Sequence, residues 1–291
     1  MKRSELTLED RNTISGKLEH IGMHLSEFSF PNLYLFREIH RYETLHSPHG
    51  FFLSGLSYDN RPFIMPMSNP GKAGKQFLSE MKELLFNGEW DFIFPVPEEW
   101  LGCFNEREFN RTCNPDDSDY LFLTENFKTY PGKKLHKKKN RLNQFLRNHE
   151  PLLLPLTPEI IPEALEVLDL WQESSSKEIT ANDYKQCREA LEMLQILGLT
   201  GAMAYADGKP AGFLLGEPLN NDTFTIHFAK ADTRFSGVYQ FLFSRFSVDF
   251  CPEFRYLNLE QDLGNEGLRK NKNSYRPDMM AHKYRISLKN P

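Results

Sequence analysis

Cysteine is scarce in this chain, and its cysteines follow no recognisable pattern. The four residues stand at positions 103, 113, 187 and 251, with no CxxC pair and no regular spacing. This excludes a small disulfide-stapled scaffold and a zinc-ribbon site, because both need closely spaced cysteines. His136 and His149 also lack a second ligand at a metal-like spacing. We therefore expect no metal site, and free thiols in a reducing cytoplasm.

Long apolar runs and low-complexity tracts are also missing. The longest uncharged stretch, residues 193–206, is short and is broken by Gly198 and Gly201, so it does not predict a membrane span. The first ten residues are charged and lack the apolar centre of a secretory leader. With 40% apolar and 26% charged residues, the composition is that of an ordinary globular protein. A chain of 291 residues is long enough for two domains, and we expect a soluble, cytoplasmic protein.

The order hairpin, loop, helix and strand occurs twice along the chain. Turn residues separate short apolar runs in both the first and the last third, and each set is followed by a helical period. This repetition predicts a duplicated α+β unit, with the seam near Glu150-Pro151. The predicted strands are 50–56, 61–67 and 92–96 in the first third and 199–206, 211–216, 223–231 and 255–259 in the last.

Positive charge is concentrated in one segment. Between Lys128 and Arg147 there are eight Lys and Arg and no Asp or Glu, so this window carries +8 and the rest of the chain −13. The spacing predicts a helix over 133–149, with Leu135, Leu142, Phe145, Leu146 and His149 on one arc of about 100°. Four cations on a second arc suit phosphate oxygens, and the alternative is a solvated lysine-rich face. These cations are Lys133, Lys134, Lys137 and Arg141.

His227 is a candidate for proton transfer. In the strand predicted at 223–231, alternation puts Phe224, Ile226 and Phe228 on one face and His227 on the other. An imidazole there can accept a proton from an attacking amine, because its ordinary pKa lies near neutrality. The alternative is a histidine that is hydrogen-bonded to a carbonyl of a neighbouring strand.

The segment 258–276 gathers carboxylates, amides, cations and a tyrosine after a predicted strand. Glu260 and Asp262 share strand parity, and either can act as a base or bind an ammonium group. Tyr275 can protonate a leaving group. Arg269 and Lys270 belong to a second cationic cluster. The alternative for most of these residues is a surface salt link.

Four separated motifs along the chain point to a family. The first lies near the amino terminus, the second is the cationic segment, and the last two contain the candidates described above. They read Ser26-Glu-Phe-Ser-Phe-Pro-Asn-Leu-Tyr, Lys133-Lys-Leu-His-Lys-Lys-Lys-Asn, His227-Phe-Ala-Lys-Ala-Asp with Gly237-Val-Tyr-Gln, and Asn258-Leu-Glu-Gln-Asp-Leu-Gly through Gly267-Leu-Arg-Lys to Ser274-Tyr-Arg-Pro.

With these motifs the chain resembles an uncharacterised bacterial family related to the C-terminal domain of phosphatidylglycerol lysyltransferase. The resemblance implies two tandem acetyltransferase-like (GNAT) domains, as in the Fem peptidyltransferases. Each is expected to be an α+β domain with a mixed, mostly antiparallel sheet flanked by helices. We expect residues 1–150, including the basic helix, to form the first domain and residues 151–291 to form the second.

The resemblance also implies an activity. Such enzymes move an aminoacyl or acyl group from aminoacyl-tRNA or acyl-coenzyme A to an amine or hydroxyl acceptor. A lipid headgroup reached from the aqueous side is one such acceptor, and no cofactor beyond the donor is required. The basic helix and the Arg269 cluster would hold the donor's phosphates, while Glu260, His227 and Tyr275 would handle protons. The alternative is a non-catalytic module that binds tRNA, another polyanion or coenzyme A.

One motif departs from the acetyltransferase pattern. The usual pyrophosphate loop reads Arg/Gln-x-x-Gly-x-Gly/Ala. Here Arg234 and Gly237 match its first two signature positions, but Tyr239 stands at the last. We expect the phenol ring to obstruct the close backbone approach that phosphate binding at a helix N-terminus requires.

Overall fold

The structure is a computed structural model that describes residues 2–175 and 178–289. The strands are β1 (Lys2–Glu5), β2 (Glu43–His46), β3 (Phe51–Leu56), β4 (Pro62–Pro66), β5 (Phe92–Val96), β6 (Phe109–Cys113), β7 (Asp119–Leu123), β8 (Pro151–Pro155), β9 (Thr200–Ala206), β10 (Lys209–Pro218), β11 (Thr223–Ala231), β12 (Tyr256–Asn258), β13 (Met279–Ala281) and β14 (Tyr284–Leu288). The helices are α1 (Arg11–Leu18), α2 (Phe30–Leu35), α3 (Arg37–His40), α4 (Pro70–Ala73), α5 (Lys75–Phe86), α6 (Thr124–Thr129), α7 (Gly132–Asn148), α8 (Ile161–Ser174), α9 (Tyr184–Glu192), α10 (Leu194–Leu197), α11 (Val238–Asp249) and α12 (Glu266–Ser274).

The chain divides into two compact units. The first unit consists of the chain up to Asp119, the short segment Gln261–Gly264 and the chain from Met280 onward. The second unit consists of Tyr120–Glu260 and Asn265–Met279. This division does not fall at residue 150, where the sequence predicted it. The seam was predicted near Glu150-Pro151, but Pro151 begins β8, which pairs along its length with β9. The basic helix α7 therefore belongs to the second unit.

The first unit contains a seven-stranded sheet in the order β1-β2-β3-β4-β5-β14-β6. Only β4 and β5 run parallel; the other neighbours are antiparallel. The apolar side chains of β3, β4 and β5 form the core, and Leu53, Ile64 and Ile93 are fully buried. Helix α5 buries Phe77, Met81, Leu84 and Leu85, and Phe77 stacks on Phe52 with ring centroids 4.9 Å apart.

The second unit contains a seven-stranded sheet in the order β13-β7-β12-β11-β10-β9-β8. Here β11 and β12 run parallel, whereas β8, β9, β10 and β11 form an antiparallel run. Asp207 and Gly208 have positive φ values of 54° and 73°, as the predicted hairpin turn requires. Helix α11 packs against β9, β10 and β11. The predicted α+β class, with two mixed, mostly antiparallel sheets, is confirmed.

Several strands escaped prediction because their sequences carry weak signals. Strand β8 has proline at both ends, and β14 alternates polar and apolar residues over only five positions. No helix among residues 2–175 and 178–289 is both long and apolar enough to cross a bilayer. The same residues hold no group of three or more His, Cys, Asp or Glu that is arranged to bind a metal ion.

Candidate functional site

The sheet of the second unit opens between β11 and β12. The two strands pair only from Thr223 to Thr225 on β11 and from Tyr256 to Asn258 on β12, although β11 continues to Ala231. The chain after β12 turns away through Glu260, whose φ of 58° is rare for a residue other than glycine. Side chains near this separation are therefore held by the rigid backbone of two strands.

His227 lies at a β-bulge beside this opening. In the pairing of β10 with β11, Leu215 faces Phe228 and Gly216 faces Ile226, so His227 is the extra residue. A bulge redirects the side chain of its extra residue, and the simple alternation expected for this strand does not hold here. Gly216 is required at this position, because a Cβ atom would collide with the carbonyl of Thr225.

The His227 ring is held between two glutamates. Its Nδ1 lies 2.7 Å from Glu260 Oε1, and its Nε2 lies 3.0 Å from Glu217 Oε1. Carboxylates only accept hydrogen bonds, so both ring nitrogens carry a hydrogen and the ring is an imidazolium. Burial lowers the pKa of His227, but the hydrogen bonds to Glu217 and Glu260 outweigh burial and raise it to about 10.

This geometry corrects the role expected for His227. An imidazolium has no lone pair with which to accept a proton at neutral pH. The strand-carbonyl alternative does not hold either, since both partners are carboxylates. We call Glu217, His227 and Glu260 the acid cluster. The glutamate side chains are 15% and 14% exposed, so the histidine positions two carboxylates that are mostly buried but still partly open to solvent.

Hydrogen bonds to the backbone of Glu260 stabilise its unusual conformation. Its N–H donates to Asn258 Oδ1 over 2.6 Å, and its carbonyl accepts from Lys272 Nζ over 3.1 Å. Non-glycine residues held at positive φ cluster at functional sites. The expected parity of Glu260 with Asp262 fails because β12 ends at Asn258. Asp262 belongs to the first unit, and its buried carboxylate accepts from the N–H of Gly264 over 2.9 Å.

Tyr275 is buried where α12 ends. Its hydroxyl accepts a hydrogen bond of 2.7 Å from Gln240 Nε2, on α11. Burial raises the pKa of Tyr275 above its ordinary value, although the Gln240 bond opposes the shift. The phenol therefore keeps its proton at neutral pH, and its role as a proton donor stays a prediction.

Lys138 and Glu217 are residues of this region that the sequence did not single out, and Lys138 lies beside Tyr275. It is 8% exposed, and its Nζ lies 3.4 Å from the centroid of the Tyr275 ring. Burial, and next the charge of Arg141, lower the pKa of Lys138 to about 8. The signal for this burial was its helical spacing, because Lys138 lies three residues after Leu135 and four before Leu142. Because lysine is ordinarily exposed, this spacing was not interpreted as burial.

The outward cations of α7 lie where the helical wheel predicts. Lys133, Lys134, Lys137 and Arg141 are all exposed, and within the described ranges none forms an ion pair with a carboxylate. The opposite face is buried except at Leu146, which is 45% exposed. This face packs on α11, where the rings of Phe145 and Phe241 are 5.1 Å apart. That the four outward cations contact a donor remains a proposal.

The second cationic cluster is less prominent than predicted. Lys270 forms an exposed ion pair of 3.5 Å with Glu266, one turn earlier on α12. Such a pair contributes little, so Lys270 matches the surface-link alternative. Arg269 lies on the same helix and is half-buried. Lys272, between them and Tyr275, makes the contact with Glu260.

The loop before α11 is already occupied by protein groups. Both carboxylate oxygens of Asp232 accept hydrogen bonds from Arg234 Nε, at 2.9 and 2.8 Å. A Cβ atom on Gly237, at φ 97°, would collide with the Arg141 carbonyl oxygen, so α7 packs directly on this loop. The Tyr239 hydroxyl is instead hydrogen-bonded to the Ala231 backbone, and burial raises its pKa to about 12. Helix α7 thus covers the loop, and the sequence did not predict this contact.

A separate buried ionic network lies in the first unit. Lys283, fully buried, donates to Asp119 Oδ1 at 2.6 Å, to Glu27 Oε1 at 2.8 Å and to Gln261 Oε1 at 3.1 Å. Burial lowers the pKa of Lys283, but Asp119 and Glu27 raise it above its ordinary value. Burial also raises the pKa of Glu27 to about 7. We call Glu27, Asp119, Gln261 and Lys283 the Lys283 network.

Comparison with known proteins gives one family. The family described as "Phosphatidylglycerol lysyltransferase, C-terminal" matches residues 19–287. An uncharacterised protein of Mycoplasmoides gallisepticum is 24% identical over 201 residues, a match that covers 68% of this chain and 64% of the relative.

Solved structures share the fold. A conserved protein of unknown function from Bacteroides thetaiotaomicron is 28% identical, with a TM-score of 0.87 over 99% of this chain and 100% of the other. L-PGS from Bacillus licheniformis has a TM-score of 0.64 at 15% identity, over 97% and 93%. FemX has a TM-score of 0.62 at 7% identity, over 100% and 98%. The expected Fem-like fold, with two units that each contain a mixed sheet, is confirmed.

Proposed function

The chain belongs to the family of phosphatidylglycerol lysyltransferase C-terminal domains, and from that premise we propose that it is an aminoacyltransferase. It moves an aminoacyl group from aminoacyl-tRNA to a hydroxyl or amine acceptor. One observation carries this proposal: helix α12 connects the acid cluster to the cationic helix α7. Lys272 of α12 contacts the carbonyl of Glu260, and Tyr275, three residues later, lies against Lys138.

This arrangement matches the polarity of the donor. Aminoacyl-tRNA carries negative phosphates along its RNA and a positive amino group at its acylated end. The cations of α7 attract the phosphates, because each contact releases a condensed counterion. The acid cluster has two carboxylates and one imidazolium, a net charge of −1, and it attracts the amino group. The ester bond would then lie near α12.

The reaction requires one bond to form and one to break. The acceptor oxygen or nitrogen bonds to the acyl carbon, and the ester bond from that carbon to the ribose oxygen breaks. The proton that leaves the acceptor is balanced by the proton that the ribose oxygen gains. Glu260 is the candidate for removing the first proton, and Tyr275 is the candidate for supplying the second. His227 is a positioning residue, because it acts through Glu217 and Glu260.

The loop before α11 favours tRNA over acyl-coenzyme A as donor. A diphosphate bound at this helix N-terminus would face the Asp232 carboxylate and the Arg141 carbonyl oxygen. Both are acceptors and repel phosphate oxygens. Arg234, the cation of the loop, already pairs with Asp232. An acyl-coenzyme A donor would need this loop to rearrange.

For the acceptor, the description of the family points to phosphatidylglycerol. Its headgroup ends in glycerol hydroxyls, which suit attack on an ester carbonyl. The chain spans less than two thirds of the length of the curated relative that it matches. We therefore propose phosphatidylglycerol as the acceptor only for the residues of this chain. The protein would reach the lipid headgroup from the aqueous side of the membrane.

A radiolabelled donor assay tests this function. The protein is incubated with aminoacyl-tRNAs carrying labelled amino acids, with vesicles of phosphatidylglycerol and with soluble amines, and label is followed from tRNA to acceptor. We expect transfer by the wild type and a loss of about a hundredfold in Glu260→Gln, as for removal of a general base. Glu266→Gln is the matched control, because Glu266 is an exposed glutamate of α12, and its rate should stay within about twofold.

Two outcomes would count against aminoacyl transfer. If labelled tRNA binds but is never consumed across this panel, the chain is the non-catalytic binding module instead. If acetyl-coenzyme A is consumed while aminoacyl-tRNA is not, the donor assignment is wrong. Equal rates for Glu260→Gln and Glu266→Gln would remove Glu260 from the chemistry.

A further inference from the structure

Lys138 is a buried cation without a carboxylate partner. Lys230 and Lys283, the other buried lysines of the described residues, contact carboxylates: Lys230 lies 2.6 Å from Asp183, and Lys283 contacts two acids. Lys138 is more than nine-tenths buried, and within residues 2–175 and 178–289 it forms no ion pair. Burying an unpaired charge is unfavourable, so its position indicates an anion that binds there.

The groups around Lys138 are suited to an oxyanion. The Tyr275 ring covers one side of the ammonium group, and Arg141 lies one turn along α7, close enough to perturb the pKa values of both Lys138 and Tyr275. The Tyr275 hydroxyl accepts from Gln240 and so turns its own hydrogen elsewhere. Lysine and arginine only donate hydrogen bonds. An ammonium group and a guanidinium fork together match the several oxygens of a phosphate, and the Tyr275 ring forms one wall of the site.

The site also has a defined relation to the acid cluster. Tyr275 follows α12, and Lys272 of the same helix contacts the Glu260 carbonyl over 3.1 Å. A phosphate bound at Lys138 would therefore lie a short distance from the glutamate proposed to act in transfer. In aminoacyl-tRNA, the phosphates nearest the ester belong to the last nucleotides of the RNA.

We propose that Lys138, Arg141 and Tyr275 form a phosphate-binding site that holds one backbone phosphate near the acylated end of the donor RNA. The identity of this phosphate rests on the proposed function. The other outward cations of α7, Lys133, Lys134 and Lys137, would contact the RNA further from the ester. Lys138 differs from them because it is built into the protein and binds one group at a fixed position.

Lysine-selective NMR tests the site with inorganic phosphate alone. In protein labelled with ¹³C-lysine, the Lys138 Cε signal is assigned by its absence from Lys138→Arg. We expect this signal to titrate near pH 8, to move upward in apparent pKa when phosphate is added, and to leave the Lys139 signal unchanged. Tyr275 and Arg141 are the titratable or charged groups known to face Lys138, and Gln240 and Tyr130, packed on Tyr275, stay neutral. A Lys138 signal that ignores phosphate would overturn the proposal.

Binding of uncharged tRNA tests the source of the phosphate without any transfer step. By fluorescence anisotropy, we expect Lys138→Met to bind about tenfold more weakly than the wild type, as for loss of a charge-assisted hydrogen bond. The matched control is Lys139→Gln, because Lys139 is an exposed lysine of the same helix, and it should bind within about threefold of wild type. In the wild type, affinity for tRNA should decline between pH 7 and pH 9 as Lys138 loses its proton. Lys138→Arg should bind tRNA as tightly as the wild type at pH 7 and should not show this decline.

The remaining outcomes separate this site from the proposed activity. If Lys138→Met and Lys139→Gln bind tRNA equally well, the phosphate does not come from RNA. If Lys138→Met instead loses binding to phosphatidylglycerol vesicles and keeps tRNA affinity, the phosphate is that of the lipid headgroup and the proposal is wrong. Because uncharged tRNA cannot donate an aminoacyl group, both results stand whether or not the chain transfers one. Circular dichroism of Lys138→Met and Lys138→Arg verifies that both variants fold.

Discussion

Two buried lysines in the two units of this protein have opposite surroundings. Lys283, in the first unit, contacts two carboxylates and an amide oxygen, and its pKa lies above the ordinary value although burial opposes this. Lys138, in the second unit, contacts an aromatic ring and lies close to an arginine, and its pKa falls to about 8. Burial alone therefore does not tell what a lysine does.

The difference lies in where the counter-charge comes from. The Lys283 network supplies its own anions from residues far apart in the chain, so the lysine stabilises the fold. Among the described residues Lys138 pairs with no carboxylate, and in our proposal an anion from outside completes it. His227 is another buried cation, and it resembles Lys283 because its partners are carboxylates.

The largest expected effect separates the two lysines by stability. Lys283→Met leaves Asp119 and Glu27 buried without their cation, and we expect a loss of about 3–5 kcal/mol in the free energy of unfolding. Lys138→Met removes an uncompensated charge and should change that free energy by less than about 1 kcal/mol. Guanidinium unfolding followed by circular dichroism at pH 7 measures both variants.

A matched surface variant controls for the loss of a lysine in the first unit. Lys289→Met changes an exposed residue near Lys283 in sequence and should lie within about 0.5 kcal/mol of wild type. Equal losses for Lys283→Met and Lys138→Met would contradict the distinction between an internally paired and an unpaired cation.

A smaller effect is expected in how the free energy of unfolding depends on pH, and it distinguishes Lys138 from Lys283. Between pH 8 and the ordinary lysine value of 10.5, folded Lys138 binds fewer protons than unfolded Lys138. The unfolding free energy of the wild type should therefore rise with pH, relative to Lys138→Met, across this range. Lys283 keeps its contribution there, because its folded pKa lies above the ordinary value. Unfolding curves at pH 7.5 and 9.5 measure the difference, and a fall with pH would have the wrong sign.

The smallest expected effect on stability concerns the exposed lysines of α7. Lys134→Gln combined with Lys137→Gln should change the unfolding free energy by about 0.5 kcal/mol or less, because neither residue is buried. If both contact RNA phosphates, the slope of log affinity for tRNA against log salt should become shallower by about 1.4 to 1.8. A titration of salt with Lys75→Gln as a control in the first unit measures this, and an unchanged slope would place the RNA elsewhere.

Local patterns in the sequence predicted much of this fold. The period of α7 identified its buried and exposed faces, and turn residues located the hairpin of β9 and β10. Both depend on residues close together in the chain. Lys138 was missed for the opposite reason: its spacing marked it as buried, but a lysine in a run of lysines is ordinarily solvated. The aromatic ring that lies against Lys138 belongs to Tyr275, far along the chain, so no local pattern indicates the contact.

The candidate site was predicted by residue type better than by geometry. His227, Glu260 and Tyr275 were identified as a histidine, a carboxylate and a phenol in suitable segments. Glu217 was not identified, because its contact depends on a bulge that no local pattern indicates. The Lys283 network was out of reach as well, since Lys283 and Glu27 stand 256 positions apart.

The path of the last strand bears on how the chain is made. Strand β14 lies between β5 and β6 in the first sheet, and Lys283 immediately precedes it. Residues that are translated after the second unit therefore supply an interior strand and a buried ammonium group to the first unit. The sheet of the first unit is completed only after the second unit has been translated, and until then β5 and β6 lack the strand that pairs with both of them.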